Sequence, residues 1–339
     1  MWGVGVKKIF IIGTMFLLVL ATMGVVSSRR QPARPAVSRP TPTPELALLA
    51  APVFPPSVVA NQPAYVVPAL AASFPEHVPD HEVSPFSVKD AAGAVARALG
   101  FPDAPQGVSG SRGTSYVWSA GASSLVVSGN PPMVAYLSGK TTAGVVVSSA
   151  ASLDAAARAV LARLDLPAAP YELVKLPPRY FTTSGQDLVE VNGAAGATIV
   201  EVGYRYYLSS RPVYGSRPNE PSAATRFNAK EEIVSVTAAI FSPTKESGKS
   251  VAVALGEEVS GRLARSEGVL LYLFADGDKN NFTAPQYAVP VVSVGSVSLG
   301  YYYSPGASSL SPVFLAEGVG QDGGSGQGVR FMTLVSALR

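Results

Sequence analysis

Hydrophobic and polar residues alternate in short patterns along most of the chain, but one long apolar run lies near the N-terminus. Residues Ile9–Val26 carry no charge, and basic residues flank them on both sides. At a rise of about 1.5 Å per residue, a helix of this length spans roughly 27 Å, close to the hydrocarbon core of a bilayer. The pattern predicts a retained transmembrane anchor over residues 1–28. A signal peptide cleaved after Ser28 and a buried core helix are the two alternatives.

A proline-rich stretch, residues 29–85, follows this run and contains thirteen prolines. Proline fixes the backbone φ angle and removes a hydrogen-bond donor, so the first part of the stretch should be an extended, semi-rigid stalk. The later part also contains apolar residues such as Phe54 and Tyr65, which a solvated tether does not need. We therefore expect the later part to pack against the folded domain as irregular extended chain.

Helical and strand patterns then divide the chain into three units, residues 86–150, 151–245 and 246–339. Ser87 is the predicted N-cap of a helix whose apolar residues recur at helical spacing up to Leu99. The same order, one helix and then strands, recurs twice, and this predicts an α+β fold of repeated units. Each unit would have one helix packed on a small antiparallel sheet, after the N-terminal transmembrane helix and the Pro-rich stalk. An α+β chain without a repeat is the alternative. The other predicted helices cover residues 153–164 and 255–263, and the predicted strands cover residues 115–119, 123–127, 133–137, 171–176, 179–182, 198–208, 224–227, 233–241, 291–303, 310–317 and 329–337.

Composition bears on which side of a membrane the C-terminal domain would lie. Only 14% of the residues are charged, against about 25% in an average soluble domain. A surface of this kind, behind a stalk, is typical of tethered extracytoplasmic modules. The positive-inside rule points the other way, because four arginines follow the apolar run and only two lysines precede it. We give composition more weight and expect a single-pass protein of the cell membrane with an extracytoplasmic C-terminal domain.

The residue content also limits which kinds of active site and partner the chain can have. The chain has no cysteine, which excludes disulfides, thiolate metal sites and a cysteine nucleophile. The net charge is +3, but four arginines lie in the stalk, and the rest of the chain is close to neutral. A near-neutral domain argues against a nucleic-acid partner.

Two parts of the chain share a strand, x-Pro-Val, strand pattern that resembles the bacterial PepSY-like modules. The segments that carry it are Val202–Leu208, Arg211–Tyr214 and Ile233–Val236, and then Val297–Tyr303, Leu310–Leu315 and Phe331–Ala337. The arrangement is similar to the membrane-anchored regulators of the essential cell-wall histidine kinase in Gram-positive bacteria, over roughly residues 152–338. The resemblance implies a protein without catalytic activity or cofactor that binds a sensor-kinase domain, a peptidase or a wall component. The long stalk departs from those regulators.

The two histidines of the chain, His77 and His81, lie four residues apart with acids beside them. On a helix, this spacing would place both on one face as zinc ligands. Pro79 between them disfavours a helix, because proline restricts the residue before it to extended conformations. We therefore expect a solvated loop, and no Ser-His-Asp triad in the folded domain.

Two further segments resemble the sequence patterns of ligand-binding loops. Asp276, Asp278 and Asn280 have the oxygen spacing of a calcium loop, but its usual glycine and final glutamate are missing. A polar turn is therefore the expectation, with a weak calcium site as the alternative. Residues 318–323 match a dinucleotide fingerprint, but no helix follows to present its N-terminus to phosphate. A hairpin loop is expected there.

Tyrosines cluster on two predicted strands. Alternate side chains of a strand face opposite sides, so Tyr206 and Tyr302 are expected in the core while their neighbours face outwards. The candidate binding surface therefore consists of Tyr204, Tyr207, Tyr301 and Tyr303. Exposed tyrosines could dock a peptide or a glycan, although cross-strand packing that stabilises the sheet is the more common reason for tyrosines on a strand. We expect a membrane-anchored extracytoplasmic binding or regulatory protein that acts through protein–protein contacts, with a cell-wall or glycan-binding surface module as the alternative.

Overall fold

The structure, a computed structural model, describes residues 46–339 apart from residues 48, 59–61, 69–73, 86, 103–104, 111–112, 141–143, 146–149, 185–186 and 276–287. The predicted anchor at residues 9–26 and the first part of the stalk lie outside the described residues. Within the described residues, no helix is long and apolar enough to cross a membrane. The described residues all belong to one compact unit, Pro44–Arg339.

Strands dominate the described part of the chain, which holds eighteen strands and three helices. The strands are β1 (Ala64–Val66), β2 (His77–Val83), β3 (Gln106–Gly110), β4 (Gly113–Ala120), β5 (Ser123–Gly129), β6 (Pro132–Leu137), β7 (Glu172–Lys175), β8 (Arg179–Ser184), β9 (Asp187–Val191), β10 (Ile199–Leu208), β11 (Arg211–Tyr214), β12 (Ala223–Asn228), β13 (Ile233–Ala239), β14 (Thr244–Ala252), β15 (Val269–Ala275), β16 (Val291–Tyr302), β17 (Ser311–Gln321) and β18 (Gly328–Ser336). The helices are α1 (Val88–Ala98), α2 (Ala150–Arg163) and α3 (Gly256–Ala264).

Local signals explain where the helices begin and end. The Ser87 side chain accepts a hydrogen bond from the Asp90 backbone N–H at 3.3 Å, which confirms the predicted N-cap of α1. Gly100 follows this helix at a φ of 78°, a conformation that ends helices and that glycine adopts without strain. At α3, the Glu258 carboxylate accepts a hydrogen bond from the Leu255 backbone N–H at 2.9 Å, which satisfies one of the donors at the helix start.

The predicted fold class is wrong, because the strands do not form separate small sheets with one helix each. Sixteen of them join into one sheet. Its first half-sheet runs in the order β10-β12-β13-β6-β5-β4-β3, and its second half-sheet in the order β11-β16-β17-β18-β15. A strand edge presents unpaired N–H and C=O groups, so two small sheets gain hydrogen bonds when their edges join. Here β13 pairs with β6, and β11 pairs with β16, and these two pairings merge the predicted units.

The two half-sheets meet at the hairpin of β10 and β11. Ser209 and Ser210 form its turn at φ angles of 49° and 62°, as a two-residue hairpin requires. On the far side of β11, the parallel neighbour β16 approaches so closely that a Cβ atom at Gly300 would lie 2.5 Å from the Pro212 carbonyl oxygen. Glycine is therefore needed at this position for the half-sheets to join.

One large core lies between the helices and the sheet. Helix α1 packs on β4 and β5, α2 packs on β10 and β12, and α3 packs on β1 and β18. Their buried side chains, including Val95, Leu161 and Val259, belong to the same cluster as Tyr65 from the chain before β2. Burial of this one continuous face is the main stabilising contribution to the fold. Strands β2 and β14 form a separate two-stranded ribbon.

Candidate functional site

The second half-sheet has two faces of different character, which follow from the alternation of side chains along its strands. Phe314 belongs to the main core and so defines the inner face. Its neighbour Leu315 points the other way and lies opposite Ser298 on one side and Leu334 on the other. We refer to the side that carries Ser298, Leu315 and Leu334 as the outer face.

Part of the outer face is covered by the chain that precedes β1. Tyr214, Tyr302, Val313, Leu315 and Leu334 form a small buried cluster there, against which Phe54 packs. The rings of Phe54 and Tyr302 meet edge to face, with their centroids 5.3 Å apart. The covering segment is also anchored by a 2.9 Å hydrogen bond from the Val58 backbone N–H to the Leu270 carbonyl.

Beside this cluster, a cleft of about 320 Å³ opens between the β10–β11 hairpin and the outer face. Its volume is at the lower end of the range for ligand pockets. Its apolar lining residues are Leu176, Pro212, Pro218, Leu315 and Met332. Its polar lining residues are Arg205, Tyr207, Ser210, Tyr214, Ser298 and Glu317. Six of the eleven lining residues are therefore polar, so the cleft is more polar than a typical small-molecule pocket.

Arg205 is held at one wall of the cleft by two contacts. Its Nη2 donates a hydrogen bond to the Pro218 carbonyl at 2.7 Å, and its guanidinium lies 5.5 Å from the centre of the Tyr214 ring. The Tyr214 hydroxyl in turn shares a 3.1 Å hydrogen bond with the Ser298 hydroxyl. Burial lowers the pKa of the Arg205 guanidinium, because removal of water disfavours its charged form.

Glu317 brings a carboxylate to the same cleft from β17, where it is half-buried between Ser296 and Met332. Among the described residues, neither Glu317 nor Arg205 forms an ion pair. The cleft therefore presents one positive and one negative group without direct contact, although the negative charge of Glu317 raises the pKa of Arg205 from a distance and so opposes part of the effect of burial. Such an arrangement can bind a partner that carries both charges.

The predicted tyrosine surface is largely wrong, because three of its four residues are buried. Tyr204, Tyr301 and Tyr303 are 0%, 1% and 4% exposed, and only Tyr207 is half-buried and reaches the cleft. The expectation that alternate tyrosines face solvent failed because both faces of these strands are covered in the junction region. The expected burial of the remaining pair is confirmed: Tyr206 is buried in the main core and Tyr302 in the small cluster of the outer face.

Each of the three buried tyrosines has a partner for its hydroxyl, as buried phenols usually do. The Tyr204 hydroxyl donates to the Asp154 carboxylate at 2.8 Å, and the Tyr301 hydroxyl donates to the Pro79 carbonyl at 2.9 Å. The Tyr303 hydroxyl lies 2.8 Å from that of Ser242. These contacts give the tyrosines a structural role.

The predicted loop around the histidines is also wrong, because His77 and His81 lie on strand β2. His77 is exposed, whereas His81 is 2% exposed and packs edge to face on the ring of Tyr301 at 5.0 Å. Pro79 is compatible with this strand because a two-stranded ribbon has open edges. Four residues of extended chain separate His77 and His81 by roughly 13 Å, which is too far for their nitrogens to bind one metal ion.

His81 lies in buried surroundings. Neither of its ring nitrogens has a hydrogen-bond partner among the described residues. Burial lowers the pKa of His81, and Arg211 acts in the same direction, while the carboxylates of Glu246 and Asp80 oppose the shift. The dominant cause is burial, so the neutral imidazole is favoured at this site.

The remaining sequence motifs contribute little to the site. Asp276, Asp278 and Asn280 lie outside the described residues. Residues 318–321 of the glycine-rich segment belong to strand β17, so only the last part of the segment lies in the predicted hairpin loop. There, Asp322 accepts hydrogen bonds from the Ser325 backbone N–H at 2.9 Å and hydroxyl at 2.7 Å. In the described part of the chain, no group of three or more histidine, aspartate or glutamate side chains is placed to hold a metal ion.

Sequence reasoning did not identify Arg205 and Glu317 as site residues. A signal was present at both positions. Arg205 is the one charged residue of the apolar and aromatic stretch Val202–Leu208, and Glu317 follows the apolar run Val313–Ala316 directly. A single charge in a run that is otherwise buried requires a partner or a function. The fact that both lie on one cleft depends on the junction of the half-sheets, which the strand pattern does not show.

Comparisons with known proteins do not assign the chain to a family. No protein-family model matches it. No curated protein matches it either. Among solved structures, the Bacillus megaterium YpeB C-terminal domain is similar, with 10% sequence identity, coverage of 76% of this chain and 99% of that chain, and a TM-score of 0.29. A TM-score this low carries no argument about function, so the resemblance to PepSY-like modules stays a prediction.

Proposed function

We propose that this chain is a membrane-anchored extracytoplasmic binding or regulatory protein that acts by contacting another protein of the cell envelope and catalyses no reaction. Residues 9–26 would be the anchor. The contact surface would be the outer face of the second half-sheet, centred on the cleft beside the β10–β11 hairpin.

The observation that carries this proposal is the partly uncovered outer face. Phe54 packs on the buried cluster there, whereas the adjoining cleft is open. Val319 on the same face is 56% exposed, opposite Ser293 on the neighbouring strand. Apolar side chains next to a few fixed polar groups are the usual composition of a protein-binding surface.

Site-specific photo-crosslinking in the full-length chain tests the proposal. A photo-reactive phenylalanine analogue replaces Ser210, which is exposed on the rim of the cleft, or Lys89, which is exposed on α1 as the matched control. We expect a protein adduct of defined mass from the Ser210 position in native membranes and none from Lys89. Adducts with wall glycan alone, or equal labelling at both positions, would refute the proposal.

A second experiment addresses the side of the membrane. Alkaline phosphatase folds to its active form outside the cytoplasm, where its disulfides form. Fused after Arg339, it should be active in intact cells, and the same fusion to a chain that lacks residues 1–28 should be inactive. Inactivity of the full-length fusion would contradict the extracytoplasmic location.

A further inference from the structure

We infer that the cleft binds an extended peptide segment that carries an acidic and a basic side chain on one face, with the acid at Arg205 and the base at Glu317. This inference rests on the proposed function, since it names the chemistry of the partner segment that the outer face would contact.

Arg205 is suited to a carboxylate because most of its hydrogen-bonding capacity is unused. A guanidinium has five N–H donors, and among the described residues its side chain makes one hydrogen bond, to the Pro218 carbonyl. The Tyr214 ring on one side holds the guanidinium in place. A carboxylate that reaches such a fixed and partly desolvated fork can accept two hydrogen bonds from it.

Glu317 would select the basic side chain of the peptide. It lines the same cleft as Arg205 but the two form no ion pair, so their charged atoms are more than 4.0 Å apart. If a second acid followed the carboxylate bound at Arg205, Glu317 would repel this second acid. A lysine or arginine at that place is attracted instead.

An extended segment can present both charges to the cleft. In an extended chain, residues i and i+2 point to the same side and lie about 7 Å apart, so an acid and a base at these positions would face the same cleft wall. The volume of about 320 Å³ admits only a few side chains. Leu315 and Met332 form an apolar base on which the aliphatic parts of these side chains can pack.

Binding of synthetic peptides to the purified full-length chain in detergent tests this inference. The probes are the nine-residue peptides GSTELKTSG and GSTELETSG, acetylated, amidated and labelled with rhodamine, and fluorescence anisotropy gives Kd. The wild-type chain should bind the Glu-Leu-Lys peptide about tenfold more tightly than the Glu-Leu-Glu peptide. Equal affinities, or no binding of either peptide, would overturn the inference.

A charge reversal makes the test independent of simple damage to the fold. Glu317→Lys should reverse the preference, so that the Glu-Leu-Glu peptide binds about tenfold more tightly than the Glu-Leu-Lys peptide. Arg205→Gln should weaken both complexes. Glu267→Lys makes the same charge change at an exposed residue that does not line the cleft, and it should leave the wild-type preference intact. A variant at Glu317 that keeps the wild-type preference would refute the assignment.

The peptide assay and the crosslinking experiment fail for different reasons. If Ser210 captures a protein partner but the peptides do not discriminate, the proposed function stands and the peptide chemistry is wrong. If the peptides discriminate as expected but Ser210 captures no protein, the cleft has the stated specificity and the proposed role in the envelope is wrong.

Discussion

Glu201 is a carboxylate buried between two arginines on the face of the first half-sheet opposite the main core. Its Oε1 accepts a hydrogen bond from Arg179 at 3.3 Å, and its Oε2 accepts one from Arg226 at 2.8 Å. Both guanidinium groups also lie over the ring of Phe181, at 5.1 and 4.9 Å from its centre. Arg179 has a second carboxylate partner in Glu190 at 2.6 Å.

The magnitude of a Glu201→Ala substitution follows from this geometry. The side chain of Glu201 is 3% exposed, and loss of one partner of a buried ion pair costs about 3–5 kcal/mol. The arginine side chains are 30% and 29% exposed, so water can reach them and reduce the penalty. We therefore expect a loss of about 2–4 kcal/mol in the free energy of unfolding, and about 1–2 kcal/mol for Glu201→Gln, which keeps the shape.

Urea unfolding followed by circular dichroism measures the loss. The matched control is Glu220→Ala, which removes a carboxylate from the exposed pair with Arg217 at 3.4 Å. An exposed pair contributes about 0–1 kcal/mol, so the control should be close to wild type. If Glu201→Ala and Glu220→Ala differ by less than about 0.5 kcal/mol, the carboxylate does not hold the two arginines together and the reasoning is wrong.

Three further substitutions have expected outcomes. Tyr204→Phe should cost about 1–2 kcal/mol of folding stability at neutral pH. Burial raises the pKa of Asp154, but hydrogen bonds, first of all the one from Tyr204, outweigh burial and lower this pKa. The cost should therefore shrink as the pH falls below 3.8, the ordinary pKa of an aspartate. Below about pH 6.5 the wild type should lose stability, because burial lowers the pKa of His81 and the unfolded chain therefore binds the proton first. His81→Leu should abolish this loss. Gly300→Ala should cost about 1–3 kcal/mol, because the added Cβ collides with the neighbouring strand.

Two of these substitutions have a matched control on the same chain. For the pH dependence, His77→Leu changes the exposed histidine of the same strand and should leave the slope of stability against pH below 6.5 unchanged; an equal effect of the two histidines would contradict the role of burial. Gly107→Ala adds a methyl group with no atom within 4 Å and should be nearly neutral. A cost for Tyr204→Phe that is constant down to pH 2 would show that its hydroxyl does not stabilise the Asp154 carboxylate.

Local features of the fold could be predicted well because their energies depend on neighbouring residues. Ser87 caps α1 through a hydrogen bond with the backbone three residues further along. The glycine-rich segment after Val319 lacks a following helix, which was sufficient to predict a hairpin there.

The candidate site could not be predicted because its parts come from different strands. Tyr204 and Tyr301 have the sequence pattern of outward-facing residues, yet helix α2 and strand β2 supply residues that cover them. Tyr207, Arg205 and Glu317 meet only because β11 connects the two half-sheets. Alternation along a strand states which residues share a face, but the segment that covers the face comes from elsewhere in the chain.

The sequence alone indicates the N-cap of α1, the turn between β17 and β18 and the burial of Tyr206 and Tyr302. The absence of cysteine also rules out disulfides and thiolate sites. Tertiary contacts, by contrast, join the strands into one sheet, bury the histidine at position 81 and bring Arg205 and Glu317 to one cleft. The physical reason is that hydrogen bonds between strand edges and the burial of sheet faces join segments far apart in sequence, and their free energy does not depend on local pattern alone.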